Sequence, residues 1–516
     1  MAKRYDVVIV GGGTAGCIAA ARLSEDTSRS VLLLEAGPDY VSTAATPPGV
    51  LDARYVPMRS HAPSFDADHD WRINVLLGGT RIVIPQARLI GGGSAINGTL
   101  ALRGAIADYR EWVAEGNPDW GWDSVLPVFR DLETDDAGDD AWHGRHGPYP
   151  ISRPTEAELA PLQKAFIAAA LAVDAPPCAD FNAPDAYGVG PVTQSRRGGT
   201  RISTAIAYLE PARGRPNLEV RGGATVARVL FDGDRAVGVE MLDGATITAG
   251  AVIVSAGAIA SPALLQRSGV GPAGLLRTHG IRVVADLPVG DNLGDHCVVP
   301  ILAEPRPGAW SVEHYSLQAV WRFSTTVQPD TLDAQLTMFS YLNVRTTGEG
   351  ARGLAGSGGG GLENVAGIGC VLNKPRSTGV VRIASPRADV APDVALNYLE
   401  EEVDRRVMRE IVRRGWDVIS AEPLAGMLEA PIGIDAATVA DDDALDRMIA
   451  GALASGYHFT GTCKMAAPEK AGVVDQKGCV YGTRALRVID ASVLPTVPAA
   501  NVMLPTVMAA EKLLAS

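Results

Sequence analysis

The first 35 residues constrain the fold more than any other part of this chain. Residues 5–10, YDVVIV, are an apolar, β-branched run long enough for one buried strand. The glycine pattern G-x-G-x-x-G follows directly over 11–16. An alanine-rich segment over 14–23 predicts a helix, and VLLLE over 31–35 predicts a second strand that ends in an acid. Together these segments predict one βαβ unit.

The residues of this unit have separate physical roles. Gly11 permits the tight turn, Gly13 lets a pyrophosphate approach the backbone, and Gly16 lets the helix pack on the strand. The helix N-terminus offers unpaired N–H groups and a partial positive charge to phosphates. Glu35 is placed to accept a hydrogen bond from a ribose 2′-hydroxyl, and an acid there disfavours the 2′-phosphate of NADP. The unit predicts dinucleotide binding; the alternative is a glycine-rich turn in an ordinary α/β protein.

Composition narrows the class of protein. A chain of 516 residues predicts two or more lobes. The net charge is −13 and no basic run stands out, which argues against nucleic acid and anionic membranes as partners. Six cysteines without metal-site spacing, and a first strand that begins by Tyr5, predict a reduced, cytoplasmic protein without a signal peptide. Serines, glycines and prolines in the uncharged stretches 246–266 and 491–510 favour buried strands and loops over a membrane span.

The remaining pattern predicts further strands and helices. Three short apolar runs over 218–221, 225–231 and 236–242 predict a β-meander, whose last two strands are joined by an Asp-Gly turn. The glycine-rich stretch 348–361 predicts a mobile tip. A loop or lid is predicted over 37–71, and the segment 108–132 is predicted to be helical with a Gly-Asn-Pro turn in its middle. The other predicted elements are helices over 155–173, 263–268, 399–420, 441–453 and 505–514, and strands over 251–255, 314–323, 332–342, 365–372 and 486–490.

Four stretches resemble one known family. They are the unit over 11–35, a second glycine cluster from Arg88 to Asn97, the segment GAIASPALLQRSGVG over 257–271, and the C-terminal sequences GYH at 456–458 and DASVLP…ANVMLPT over 490–506. In this order they resemble the ADP-binding motif, the two signatures and the catalytic end of the glucose–methanol–choline (GMC) oxidoreductases. The C-terminal sequence is most similar to that of the bacterial hydroxymethylfurfural and aryl-alcohol oxidases.

The resemblance implies an α/β fold with two lobes and FAD as cofactor. A Rossmann-like FAD-binding domain would comprise 1–154, 200–296 and 445–516, and a substrate domain built on an antiparallel sheet would comprise 155–199 and 297–444. Ile96 stands where some choline-oxidising members carry a flavin-linked histidine, so non-covalent FAD is predicted. By resemblance, the residues that bind FAD are Gly11, Gly13, Thr14, Ala15, Gly16, Glu35, Ala36, Arg88, Gly91, Asn97, Gly98, Thr99, Leu100, Val226, Tyr457, Asp490, Ala491, Asn501, Val502 and Thr506.

The resemblance also assigns the chemistry. It implies that a primary alcohol is oxidised to an aldehyde by hydride transfer to flavin N5, with His458 as general base and Asn501 as donor to the substrate oxygen. His296 is interpreted as a structural hydrogen-bonder. A final helix beginning at Pro505 and Thr506 would direct its positive end at flavin N1 and O2.

Electrons would pass to O₂ in an oxidase, or to a quinone or other acceptor in a dehydrogenase. A hydroxynitrile lyase, in which the flavin does no redox work, is a third possibility. The mainly apolar strands over 314–323, 332–342 and 365–372 favour a neutral primary alcohol, benzylic or furanic, over choline, and sugars stay open. No metal site is predicted.

Overall fold

The structure is a computed structural model that describes residues 4–54, 68–184, 186–343 and 364–515. Its largest sheet has seven strands. Arg4–Val10 lies between Val31–Leu34 and Thr246–Val254 and pairs in parallel with both. The helix Thr14–Leu23 connects the first two strands, so the predicted βαβ unit is confirmed. Its strands are buried apolar runs, as expected of parallel strands covered on both faces.

The other strands of this sheet show one wrong prediction. Val226–Asp232 and Arg235–Met241 form the predicted hairpin, and Arg235–Met241 pairs with Thr246–Val254. Leu218–Arg221 does not join them in a meander but pairs in parallel with Val31–Leu34 at the opposite edge. Turn residues fix a hairpin neighbour locally, whereas a parallel partner can come from anywhere in the chain. Leu486–Val488 completes the sheet beside residues 252–254.

A second, antiparallel sheet of six strands forms the core of the other lobe. It contains the three longer strands predicted between residues 314 and 372, although the first begins only at Ala319. The predicted mobile tip over 348–361 lies outside the described residues. In spatial order the strands are Ala454–Ser455, Cys297–Ala303, Asn364–Leu372, Ala334–Asn343, Ala319–Phe323 and Gly188–Pro191.

The two faces of this sheet have different neighbours. Trp321, Leu336 and Cys370 belong to a core shared with the helices Pro161–Ala172 and Glu402–Ile419. Residues directly opposite one another in antiparallel strands share a face. The face here called the inner face is directed at the site described below and carries Val298, Val320, Arg322, Gln335, Thr337, Gly369 and Val371.

The remaining elements surround these two sheets. The predicted helix over 155–173 begins only at Pro161, since proline is favoured in the first turn, while the helix predicted over 263–268 spans Gly257–Arg267. A four-stranded sheet contains Val380–Arg382, Asp393–Ala395, Ile73–Leu77 and Thr80–Ile84. Further helices are Pro48–Leu51, Gly93–Ile96, Ile106–Ala114, Trp122–Leu132, Ala273–Thr278, Ala436–Ala440, Asp442–Ala452 and Met503–Ala515.

The sheets join distant parts of the chain. Ala454–Ser455 pairs in the six-stranded sheet although it lies in the segment 445–516 assigned to the FAD-binding domain, and the domain boundaries stay a prediction. Within the described part of the chain, no helix combines the length and the apolar character that a membrane crossing requires.

Candidate active site

Two glycine loops contact each other backbone to backbone. Gly91 N donates to Gly12 O at 2.7 Å. A Cβ on Gly92 would lie 2.6 Å from the Cα of Gly13, and Gly92 has a φ of +52°. A Cβ on Gly16 would lie 1.9 Å from Gly11 O. Side chains at these positions would therefore separate the loops or the helix from the turn.

The helix Thr14–Leu23 begins beside these loops. Its N-cap is Gly13, and no side chain caps it. The first N–H groups of a helix have no partner within the helix, so this end can hold an anion such as a pyrophosphate. Thr14 and Ala15 occupy the first positions of the helix, directly after the glycine turn. The loops and the helix end form a backbone cradle that fits a dinucleotide.

Glu35 stands at the edge of this cradle. Its Oε2 accepts from Gly12 N at 2.8 Å, and its Oε1 accepts from Gly37 N at 2.8 Å. Burial raises the pKa of Glu35, while these two hydrogen bonds lower it in part. Each oxygen keeps a second lone pair that a ribose hydroxyl can use.

Other residues predicted to bind the cofactor lie near Glu35. The charge of Arg88 acts on the Glu35 carboxylate, and the Arg88 guanidinium lies 5.0 Å from the centre of the Trp71 ring. Glu35 O accepts from Ala224 N at 2.8 Å, which brings Ala36 and the strand beginning at Val226 close to the same edge.

The segment 97–100 reaches the inner face of the six-stranded sheet. Thr99 N donates to Asn97 Oδ1 at 3.0 Å, Thr99 has a φ of +64°, and Arg201 donates to the Asn97 carbonyl. Gly98 lies in this turn. Leu100 packs in one apolar cluster with Val320 of the inner face and with Ala500. Ile96, just before the segment, is buried at the end of the helix Gly93–Ile96.

Asp490 links the C-terminal segment to the helix Gly257–Arg267. Its Oδ2 accepts from Gly257 N at 2.8 Å and from Ser261 Oγ at 2.5 Å, and its Oδ1 accepts from Ser492 N at 2.8 Å. Burial raises the pKa of Asp490. The Asp490 carboxylate thus already has three protein donors, and Ala491 begins the short helix that follows.

The two predicted catalytic side chains are in direct contact. Asn501 Nδ2 lies 3.0 Å from His458 Nε2. His458 comes from a loop in which Tyr457 has a φ of +62°, and Asn501 precedes the helix Met503–Ala515. That helix begins two residues before the predicted Pro505; Thr506 Oγ1 donates to Val502 O at 2.7 Å in its first turn. Asn501 Oδ1 is buried and has no hydrogen-bond partner among the described residues, so a ligand can use it.

A second histidine fixes the orientation of the first. His296 Nε2 lies 3.0 Å from Pro498 O, and His296 Nδ1 lies 2.8 Å from His458 Nδ1. A carbonyl only accepts, so Nε2 of His296 carries hydrogen. Burial, with the nearby charges of Lys374 and Arg322, lowers the pKa of His296 to about 3, so its ring is neutral and Nδ1 accepts. His458 therefore donates from Nδ1, and the lone pair of its Nε2 accepts from Asn501 Nδ2.

A buried carboxylate that no sequence motif identifies holds this pair. Asp295 Oδ1 accepts from His296 N at 2.8 Å and from His458 N at 2.6 Å. Its Oδ2 accepts from Ser455 Oγ at 2.6 Å and from Tyr398 OH. Burial raises the pKa of Asp295 to about 6 although all four donors lower it. The adjacent acid and histidine at 295–296 were a visible signal, but nothing in the sequence connected them to Tyr398.

A separate buried cluster offers ligands that could suit a metal ion. Glu133, Asp135 and His143 place one ligand atom each within 4.8 Å of the others. Arg103 pairs with Glu133, and Arg153 pairs with Asp135. The carboxylates are thus already neutralised by protein cations, and the cluster is a charge-balanced network.

The chain is similar to known proteins over almost its whole length. Models of the GMC oxidoreductase family match residues 5–298 and 375–510. An uncharacterized GMC-type oxidoreductase of Rhodococcus erythropolis is 35% identical over 98% of this chain and 97% of its own length. An oxygen-dependent choline dehydrogenase of Photobacterium profundum is 33% identical over 99% of this chain and 92% of its own length.

Solved structures share the fold over the whole chain. The crystal structure of pyridoxine 4-oxidase from Mesorbium loti has a TM-score of 0.87 and 29% identity, covering 99% of this chain and 98% of that one. Formate oxidase from Aspergillus oryzae, at 23% identity, shares the fold with a TM-score of 0.86 over 99% of this chain and 98% of its own.

Proposed function

Because the chain belongs to the GMC oxidoreductase family, whose members are FAD-binding flavoproteins, we propose that it oxidises a primary alcohol to an aldehyde, holds FAD non-covalently and passes the electrons to O₂. The contact between His458 Nε2 and Asn501 Nδ2 at 3.0 Å carries this proposal. It joins a proton acceptor and an amide donor beside the segment 97–100, at the inner face of the six-stranded sheet.

The two side chains have complementary roles. His458 Nε2 takes the hydroxyl proton of the alcohol, and Asn501 Nδ2 donates to the oxygen as negative charge develops there. As Nε2 gains its proton, the hydrogen bond from His458 Nδ1 to His296 becomes charge-assisted. The buried Asp295 carboxylate, bonded to the His458 backbone, favours the same positive charge.

FAD would supply the acceptor for the hydride that leaves the alcohol carbon. The backbone cradle of Gly11, Gly13, Gly16 and Gly91, with Glu35 at its edge, fits the ADP half. Ile96 has no nucleophilic atom, which supports non-covalent attachment.

The inner face supports a neutral substrate. The inner-face side chains at 298, 320, 335, 337 and 371 include no acid. The charged residue of this face is Arg322, which is 1% exposed. A quaternary ammonium would meet a cation there and no anion among these positions. A second candidate is a choline dehydrogenase activity, because relatives that carry this name are 33–35% identical over 99% of the chain.

The experiment is anaerobic mixing of the purified flavoprotein with a panel of primary alcohols, choline included. We expect a benzylic or furanic alcohol to bleach the flavin band and admission of air to yield hydrogen peroxide. Bleaching by choline alone would favour the second candidate, and bleaching without peroxide would favour a dehydrogenase. No bleaching by any alcohol, with cleavage of a cyanohydrin, would indicate a lyase and overturn the proposal.

The proposed base can be tested by substitution. His458→Ala should slow bleaching of the flavin band by alcohol about 10²- to 10⁴-fold while the protein stays yellow.

A further inference from the structure

Three consecutive carbonyls just before Asn501 are each held by a buried side chain. Val497 O accepts from Lys374 Nζ at 2.8 Å, Pro498 O accepts from His296 Nε2 at 3.0 Å, and Ala499 O accepts from Arg322. Lys374, His296 and Arg322 are 8%, 1% and 1% exposed. We call these three donors and the carbonyls of 497–499 the carbonyl clamp.

All three donors belong to the six-stranded sheet or directly adjoin it. His296 precedes the strand Cys297–Ala303, Arg322 lies in Ala319–Phe323, and Lys374 follows Asn364–Leu372. The carbonyls belong to the C-terminal loop that leads through Asn501 into the helix Met503–Ala515. The sheet that covers the site therefore holds the loop that carries Asn501.

The clamp extends into a buried ion pair. Lys374 Nζ donates to Asp108 Oδ1 at 2.8 Å and to Glu111 Oε2 at 2.7 Å. Asp108 Oδ2 in turn accepts from Ala499 N at 2.8 Å. The peptide groups on both sides of Ala499 are thus bonded to charged groups, which gives the loop little freedom to move.

Arg322 is the most informative member. Its guanidinium donates to the carbonyls of Ala499 and Phe181, and its Nε has no hydrogen-bond partner in the described part of the chain. Burial lowers the pKa of Arg322, because the charged form loses water. A buried cation bonded to neutral carbonyls is costly for stability, so a role in holding the loop accounts for its presence.

We infer that the carbonyl clamp sets the position of the Asn501 carboxamide against His458 Nε2, and that Arg322 and Lys374 are positioning residues for alcohol oxidation. His296 contacts the loop and His458 at once, so the clamp ties the two catalytic side chains to one another. This inference rests on the function proposed above.

The test compares two buried arginines. Arg322→Met removes a clamp donor, and Arg103→Met is the matched control. Arg103 is 0% exposed and donates to Asn182 O, which is next to the Phe181 carbonyl that Arg322 contacts. Arg103 pairs with Glu133, however, and lies outside the clamp.

The measured quantity is the rate of anaerobic flavin reduction by alcohol, in preparations matched for FAD content. We expect Arg322→Met to slow this reduction about 10- to 100-fold, the effect of a small displacement at a reacting group. Arg103→Met should reduce flavin at a rate close to wild type.

Three further tests separate positioning from general damage. Hydrogen exchange of the peptide over 497–503, measured at the same interval below the melting temperature of each variant, should be faster in Arg322→Met than in Arg103→Met. In an Asn501→Ala background, Arg322→Met should cause no further loss of rate, because it acts through Asn501. Arg322→Lys, which keeps a donor, should recover part of the rate; if Arg322→Met does not fold, Arg322→Lys and Lys374→Met undergo the same tests.

The outcomes distinguish the two proposals. If Asn501→Ala slows flavin reduction but Arg322→Met, or Lys374→Met in its place, does not, the clamp inference is wrong. It is also wrong if the loss of that variant adds to the loss of Asn501→Ala in the double variant. If Asn501→Ala itself leaves the rate unchanged, the proposed role of Asn501 is wrong and the clamp inference falls with it.

Discussion

Two histidines are equally buried in this protein, and their pKa values move in opposite directions. His143 is 2% exposed and His296 is 1% exposed. The pKa of His143 is raised to about 10, and that of His296 is lowered to about 3. At neutral pH the first is an imidazolium and the second a neutral ring.

The neighbours explain the difference. Burial lowers both pKa values, but His143 lies 3.0 Å from Glu133 and Asp135 and 2.8 Å from Asp180, and these carboxylates outweigh it. His296 faces a carbonyl and His458, with the charges of Lys374 and Arg322 nearby. Burial alone therefore does not set the charge of a histidine. Here a charged histidine holds the scaffold, and a neutral one orients the base.

The largest expected effect is on stability at His143. His143→Gln leaves the carboxylates of Glu133, Asp135 and Asp180 short of one cation, so we expect a loss of about 3–5 kcal/mol in the free energy of unfolding. Chemical denaturation measures it, and flavin reduction by alcohol should stay near wild type. His146→Gln, an exposed position three residues away, is the control. Equal stability of the two variants would mean that His143 is not a cation in the folded protein.

The pH dependence of stability tests the same charge. The folded pKa of His143, about 10, lies above the unfolded value of 6.5, so the folded state binds the extra proton between these values. Its contribution is fully present below pH 6.5 and is lost as the pH rises toward 10. The stability difference between wild type and His143→Gln should therefore shrink by a few kcal/mol over that range. A difference that stays constant from pH 6 to 10 would contradict the raised pKa.

At His296 the expected effect is on rate. His296→Ala removes the acceptor for His458 Nδ1, so both tautomers of His458 become populated and the base is less well aligned. We expect flavin reduction by alcohol to slow about 10- to 100-fold, the usual cost of losing a residue that orients a functional histidine. Stopped-flow reduction at saturating alcohol measures it on protein that keeps its FAD. A wild-type rate would show that Asp295 alone orients His458.

Much of the fold could be predicted from local patterns. The βαβ unit and the hairpin over 226–241 depend on residues close in sequence, so periodicity and turn chemistry identify them. The strand Leu218–Arg221 was misplaced because its partner, Val31–Leu34, lies far away in the chain. The strand Cys297–Ala303 is not visible as a period-2 pattern, because it is apolar on both faces and shows little alternation.

The candidate site likewise has one part that local sequence patterns predict and another part that they do not. The cofactor cradle consists of short glycine segments, and its pattern is visible in the sequence. His458 and Asn501 could be named only from a resemblance, and His296 was assigned a structural role without its partner. Asp295, Tyr398, Lys374 and Arg322 come from separate elements, and no spacing in the sequence brings them together.

The smallest expected effect concerns metal at the His143 cluster. A bound divalent cation would need a neutral imidazole, yet both ring nitrogens of His143 are bonded to carboxylates as in an imidazolium. Arg103, Arg153 and His143 already balance the charges of Glu133, Asp135 and Asp180.

We therefore expect that neither EDTA nor added Zn²⁺ changes the melting temperature of the protein at pH 7, with His143→Gln treated in parallel. A rise with Zn²⁺ in wild type that His143→Gln lacks would mean that the imidazole gives up its proton to a metal. Both histidines would then be neutral, one as a metal ligand and the other as the hydrogen-bond acceptor that orients His458.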